Sequence, residues 1–231
     1  MCGRFNVIDN PELQSLLKDL GIDLGLPTRT NIAPTETIAL VREQSPRALA
    51  EVRWWLTPRW AKQVNQKYSM FNARAEGLAK SRAFAEPFKH RRGIVPASSF
   101  IEWRKEGDGA GQTVKQPYCI EAVDEALALA ALWERWEGDG EVVESCALVT
   151  VAAAPEFEQL HHRMPLVLVG EERDRWLDAE HEVADDDPLF QPLLKRPLRA
   201  TPISRGVNNA RNKAPELLAA SGEPLAIGHL R

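Results

Sequence analysis

Leu127-Ala128-Leu129-Ala130-Ala131-Leu132-Trp133-Glu134-Arg135-Trp136 and Ser145-Cys146-Ala147-Leu148-Val149-Thr150-Val151-Ala152 are the two stretches that decide the fold. Both are far short of a membrane span, and both are apolar enough to be central strands. Working outward, Thr37 to Val41, Ala48 to Leu56, Ser99 to Arg104 and Tyr118 to Val123 also read as strands. The last two are joined by a hairpin loop at Gly107-Asp108-Gly109-Ala110-Gly111. That loop lacks a following Lys-Ser/Thr and helix, which excludes a phosphate-cradling P-loop. Helices are few. Asp9-Asn10-Pro11-Glu12 is a helix start: a cap residue, proline in the first turn, then acid. Leu13, Leu16, Leu17 and Leu20 follow at helical spacing, and Gly21 ends the run. Residues 78–91, Glu171 to Leu177 and Ala214 to Ala220 complete the helical set, and Pro188, Pro192, Pro197 and Pro202 suggest a surface-hugging connection. Dominant strands with short helices predict an α+β domain with mostly antiparallel sheets. No repeat, low-complexity tract or Gly/Ser linker divides the 231 residues, so a single domain over 1–231 is expected.

The net charge of −4 excludes a globally basic surface but not a local one. Residues 53–106 hold 12 Lys+Arg against 4 Asp+Glu, whereas residues 171–187 hold 9 Asp+Glu and 2 Arg. The basic segment also carries Trp54, Trp55, Trp60 and Trp103. Charge counts alone describe a solvated surface. Cations interleaved with aromatics are also what single-stranded nucleic acid needs, phosphate partners together with flat faces for bases. The start Met1-Cys2-Gly3-Arg4-Phe5 has no basic region followed by an apolar one, so no secretory signal, lipid anchor or membrane association is expected. Three cysteines, Cys2, Cys119 and Cys146, are too few and scattered for a disulfide framework or a zinc site. His161-His162 has no supporting metal motif, so no metal or other cofactor is expected. A cytoplasmic or nucleoid setting fits.

Cys2 carries the first chemistry. Aminopeptidases remove an initiator Met before a small residue, which would leave Cys2 with a free α-amine beside its thiol. The two groups titrate near ~8 and ~8.5, so modest shifts make either one reactive at neutral pH. With an aldehyde, the amine forms an imine and the thiol closes onto it as a five-membered thiazolidine, a step favoured by proximity. An internal cysteine cannot do this, because its nitrogen is an amide. Met-Cys-Gly also opens glutamine amidotransferases of the N-terminal-nucleophile class, although those continue into an apolar strand where this chain has Arg4. Further motifs follow along the chain: Asn31-Ile32-Ala33-Pro34-Thr35, Trp54-Trp55-Leu56-Thr57-Pro58-Arg59-Trp60 and Phe71-Asn72-Ala73-Arg74-Ala75-Glu76, then Ser99-Phe100-Ile101-Glu102-Trp103, Leu160-His161-His162-Arg163-Met164-Pro165 and Thr201-Pro202-Ile203-Ser204.

In this order, with Cys at position 2, the ensemble resembles the SOS response-associated peptidase family, whose members are abasic-site processing proteins. The resemblance runs from Cys2 to about Leu218. It implies a barrel-like core of mostly antiparallel sheets flanked by short helices. It also implies catalytic roles for Cys2, Asn72, Glu102 and His161. DNA contacts are implied for Arg4, Pro34, Trp55, Arg74, Trp103, Thr150 and Arg163. The implied partner is single-stranded DNA containing abasic sites, including single-strand/duplex junctions, bound by a monomer that forms a thiazolidine crosslink, with associated lyase and peptidase activity. Three positions depart from the family pattern: Ile101 stands for a usual tyrosine, Trp55 for a usual glycine, and Val151 for the second of a usual Thr-Thr pair. The residues alone leave two other readings, the amidotransferase and a non-catalytic single-strand binder. They also leave plainer roles, an ion pair for Glu102 and a turn for Asn72. His162 is expected to face away from His161, and Cys119 and Cys146 to be inert core.

Overall fold

The computed structural model describes residues 2–42, 47–107 and 113–228. In chain order its strands are β1 (Phe5–Val7), β2 (Arg29–Ile32), β3 (Thr37–Arg42), β4 (Ala48–Trp54), β5 (Asn72–Arg74), β6 (Arg92–Ala97), β7 (Ser99–Gly107), β8 (Thr113–Ala122), β9 (Leu127–Gly138), β10 (Glu141–Ala152), β11 (Arg163–Pro165), β12 (Leu198–Pro202) and β13 (Leu225–Ile227). Among the described residues three α-helices join them: α1 (Pro11–Asp19), α2 (Ala85–His90) and α3 (Glu172–Leu177).

The two apolar runs lie in β9 and β10, which pair antiparallel over most of their length. Leu127 to Leu132 are all at most 1% exposed, as a strand covered on both faces must be. Around them β10, β4, β3, β6 and β9 close into a five-stranded ring, because β9 pairs both β6 and β10. The closure is partial along β10, which meets β4 only at Ser145 and Cys146 and extends past the ring to pair with β5 and β11. All pairings in the ring are antiparallel except β4 with β10. On β10 the parallel neighbour changes along the strand, from β4 at Ser145 and Cys146 to β5 at Leu148 to Thr150. A second, wholly antiparallel sheet has the order β13-β12-β8-β7-β1-β2. One large cluster of buried side chains, from Phe5 and Trp54 to Leu148 and Trp176, fills the interior.

Helix α1 forms as its sequence dictates. Asn10 Oδ1 accepts a hydrogen bond from Leu13 N at 2.9 Å, and Leu13, Leu16 and Leu17 are buried. Three expectations need correction. Residues 78–91 are not one helix. Gly77 sits at φ 90°, a left-handed conformation, and a single 3-10 turn (Leu78–Lys80) precedes the separate six-residue α2. The proline-rich stretch is not only a connection, since Leu198–Pro202 pairs with both β8 and β13. Residues 214–220 hold a 3-10 turn, Pro215–Leu218, rather than an α-helix. Of the glycine loop, Gly107 ends β7 and the rest lies outside the described residues.

What matters for function is where the sheet brings the chain start. Phe5 pairs with Phe100 and Asn6 with Ser99, and Ile101 N donates to Arg4 O at 2.9 Å. Cys2 and Gly3 therefore run alongside the stretch of β7 that carries Glu102 and Trp103.

Candidate active site

Phe5 holds the amino-terminal segment in the core. Its ring packs edge-on against Trp54 with centroids 5.1 Å apart, and Trp54 packs edge-on against Phe71 at 6.1 Å. Cys2 is fully buried, with its Sγ 3.8 Å from Arg4 O. Asn72 reaches it from β5: its Nδ2 donates to Cys2 O at 2.8 Å. The other amide atom, Asn72 Oδ1, is buried and accepts no hydrogen bond among the described residues. Burial pushes the Cys2 thiol well above the usual range, and the Glu102 charge adds to the shift. The thiol is therefore protonated at neutral pH. Glu102 is 3% exposed, and desolvation raises its carboxyl above the ordinary glutamate range.

His161 follows a turn closed by Leu160 N donating to Phe157 O at 2.9 Å. Its Nδ1 lies 3.0 Å from Arg163 N and 3.1 Å from Arg163 O. The backbone of Arg163 thus offers Nδ1 a donor and an acceptor, so either neutral tautomer is satisfied and Nε2 can give or take a proton. Burial lowers its pKa to about 4. The ring is neutral at physiological pH. His162 does not face away as expected. The two rings stack with centroids 4.2 Å apart.

Glu102 and His161 open on one cleft of about 450 Å³, lined also by Trp103, Lys105, Lys115 and Asn208. Side chains alternate along a strand, so Glu102 and Trp103 emerge on opposite faces of β7. Both line the cleft, just beyond the last β1–β7 partner pair, Phe5 with Phe100. Trp103 is half-buried, and its Nε1 donates to Asn208 Oδ1 at 2.7 Å. Arg4 lies 5.9 Å from the Trp103 ring and donates to Asn31 Oδ1 (2.7 Å) and Val207 O (2.6 Å).

The other sequence-identified residues fall into two groups. Arg74 is exposed on β5, and Pro34 and Trp55 are half-buried. Trp54 is 0% exposed and gives its Nε1 to Phe71 O, so only Trp55 of the pair offers surface to a ligand. Arg163 and Thr150 are buried and bound to each other, Arg163 donating to Thr150 O at 2.6 Å and to Oγ1 at 3.2 Å. Arg163 also pairs with the exposed Glu76 at 2.6 Å. Among the described residues, no group of three or more His, Cys, Asp or Glu is placed to hold a metal.

Sequence reasoning missed two residues that organise this site. Asn31 is fully buried at φ 51°. Its Nδ2 donates to the carbonyls of Val207 (3.2 Å), Asn209 (3.1 Å) and Asn212 (2.9 Å). It therefore fixes the segment that presents Asn208 to Trp103. A non-glycine residue held left-handed within the Asn31-to-Thr35 motif is the signal, but φ is not visible in a sequence. The other is Glu76, whose partner lies 87 positions away.

The SOS response associated peptidase (SRAP) family model matches residues 1–210. The chain is 33% identical over 227 residues to "Abasic site processing protein YoqW" of Bacillus subtilis, covering 94% of this chain and 99% of that protein. It is 30% identical over 213 residues to "Abasic site processing protein HMCES" of Gallus gallus, covering 80% of this chain and 60% of that one. A crystal structure of a protein from Bacteroides thetaiotaomicron shares the fold, with a TM-score of 0.78 at 21% identity over 95% of this chain and all of that one.

Proposed function

The chain belongs to the SOS response associated peptidase family, and from that premise we propose that it captures abasic sites in single-stranded DNA as a thiazolidine on Cys2, once Met1 has been removed. The observation that carries this reading is the meeting of a buried cysteine near the chain start, its Asn72 partner and a cleft bearing Glu102 and His161.

An abasic deoxyribose is mostly a closed hemiacetal. Glu102, its pKa raised, gives a proton from one carboxyl oxygen to the ring oxygen while its other oxygen takes the C1′ hydroxyl proton, which opens the aldehyde. The Cys2 amine then adds to C1′. Neutral His161 takes a proton at Nε2 from the ammonium nitrogen of the adduct and passes it to the departing hydroxyl, and water leaves as the imine forms. The thiol, kept protonated by burial, acts second. Sulfur bonds to the imine carbon as the C=N π pair moves to nitrogen and the thiol proton passes to that nitrogen, and the ring closes. Asn72 Oδ1 accepts from the nitrogen during these steps. Arg4, Arg74 and Arg163 attract phosphates, and Trp55, Trp103 and Pro34 pack against bases. The crosslink shields the site from strand cleavage in the DNA damage response. Reversal of the crosslink, incision of abasic DNA through the imine, and self-release by peptide hydrolysis belong to the same reading, as does a monomer acting in the cytoplasm or nucleoid.

A denaturing gel of the protein mixed with an abasic oligonucleotide tests this. A shifted band that survives heating supports it. Binding on a native gel without a heat-stable band makes the protein a non-covalent binder, and glutamine turnover makes it an amidotransferase. Single strands and single-strand/duplex junctions are expected to crosslink faster than a fully paired duplex, because stacking worth ~1–3 kcal/mol per base needs unpaired bases. Equal rates on all three would remove the stacking argument.

Glu76 gives a further prediction. It occupies Arg163 in the unliganded protein, so a phosphate at Arg163 must compete with it. Glu76→Gln is expected to tighten binding of an abasic single strand several-fold at low salt. It should also steepen the salt dependence by about 0.7, the share of one phosphate contact. Weaker binding of the variant would instead make Glu76 a strut that positions Arg163.

A further inference from the structure

The outer part of the β7–β8 hairpin carries a pair of charges that the reaction above does not use. Lys105 and Lys115 are direct cross-strand partners, lie on the same face as Trp103 and line the same cleft. Both are exposed, and neither meets an acidic side chain among the described residues. The acid nearest in sequence, Glu106, is committed elsewhere. It accepts from Arg104 Nε and from the Tyr118 hydroxyl, both at 2.7 Å, on the opposite face of the hairpin. Like charges set directly opposite one another in a sheet repel, and here nothing described in the protein relieves the repulsion. The lysine rung lies two residues beyond Trp103, about 7 Å at the usual strand rise, roughly one sugar–phosphate unit.

We infer that Lys105 and Lys115 form a phosphate-binding rung for the DNA backbone leaving the cleft, gripping the phosphodiester next to the nucleotide stacked on Trp103. This rests on the reading of the cleft as a DNA site. It adds the path of the strand, outward along the hairpin on the Trp103 face, away from the Glu102 face. A lysine ammonium suits this task because it contacts phosphate as a point charge without demanding one geometry. Arg104 and Glu106 neutralise each other on the other face, so among the described residues the lysine pair is the charge the hairpin offers to the backbone.

The test uses a single strand with a tetrahydrofuran abasic analogue, which has no aldehyde, so binding is read without crosslinking. The Lys105→Ala/Lys115→Ala double variant is expected to lower the slope of log K against log salt by about 0.7, the share of the one phosphate the rung grips on a single strand. The Lys105→Arg/Lys115→Arg variant restores the slope, and Arg104→Ala leaves it at the wild-type value. An unchanged slope in the double alanine variant would overturn the rung. If the wild-type protein binds the analogue with this slope but never crosslinks abasic DNA, the covalent mechanism fails and the rung stands.

Discussion

Cys2→Ala forms no heat-stable adduct with an abasic oligonucleotide, while Cys119→Ala and Cys146→Ala crosslink at the wild-type rate. This is the largest effect expected of any single substitution, because a thiazolidine needs amine and thiol on one residue. The other two thiols lie inside the chain, where their nitrogens are amides. Burial raises all three thiols, Cys119 to about 11 and Cys2 and Cys146 further still, so the α-amine and not thiol acidity separates Cys2 from the other two. Cys2→Ser is expected to give at most a labile adduct, since oxygen closes a weaker ring. The measurement is a denaturing gel after heating, with intact mass confirming that Met1 is absent from each sample. A heat-stable adduct from Cys2→Ala would end the thiazolidine mechanism.

Glu102→Gln and His161→Ala each lower the crosslinking rate at saturating oligonucleotide by ~10²–10⁴-fold, the usual loss for a general acid or base. The pH profiles separate them. The Glu102 pKa is raised, so its acid form persists to higher pH than for an ordinary glutamate. Ring opening by the wild-type protein falls as pH climbs through that raised value, and Glu102→Gln removes this limb along with most of the rate. The His161 pKa is lowered to about 4, so the ring stays neutral from about pH 5 upward and adds no acid limb there. His161→Ala slows imine formation and thiazolidine reopening alike, because both pass a proton at the same nitrogen. Single-turnover crosslinking and release between about pH 5 and about pH 9 reads all of this. Plateau rates like wild type in both variants would reduce Glu102 and His161 to binding residues.

The elements legible in the sequence are those whose signal is local. The Asn10 cap and leucine spacing describe α1, and the apolar runs describe β9 and β10. Short strands such as β1, β5 and β11, three residues each, carry no periodicity to read. They exist because longer strands offer them an edge. Residues 78–91 mislead for a related reason. Their composition suits a helix, but the left-handed Gly77 and an early 3-10 turn redirect the chain, so that α2 can place Phe88 against Trp176 with ring centroids 6.3 Å apart.

The candidate site divides in the same way. Cys2 was legible from its own chemistry, amine plus thiol near the chain start, whereas Asn72, Glu102 and His161 came from the resemblance to the SOS response-associated peptidase family, since an amide, an acid and an imidazole alone also suit a turn, an ion pair or a structural role. Only the tertiary structure decided how those groups are tuned and paired. Burial raises Glu102 and Cys2 and lowers His161, and burial is a property of what packs around a residue. It also decided that Trp54 is core and Trp55 is not, and that Arg163 already has Glu76 and Thr150 as partners. Asn31 is the clearest case. Its side chain spans 176 positions to bond Val207 and so sets Trp103 through Asn208. Sequence specifies which groups can react and which segments can become strands. Desolvation and long-range hydrogen bonds, which exist only once the ring of strands has closed, determine which of those groups meet and in what protonation state.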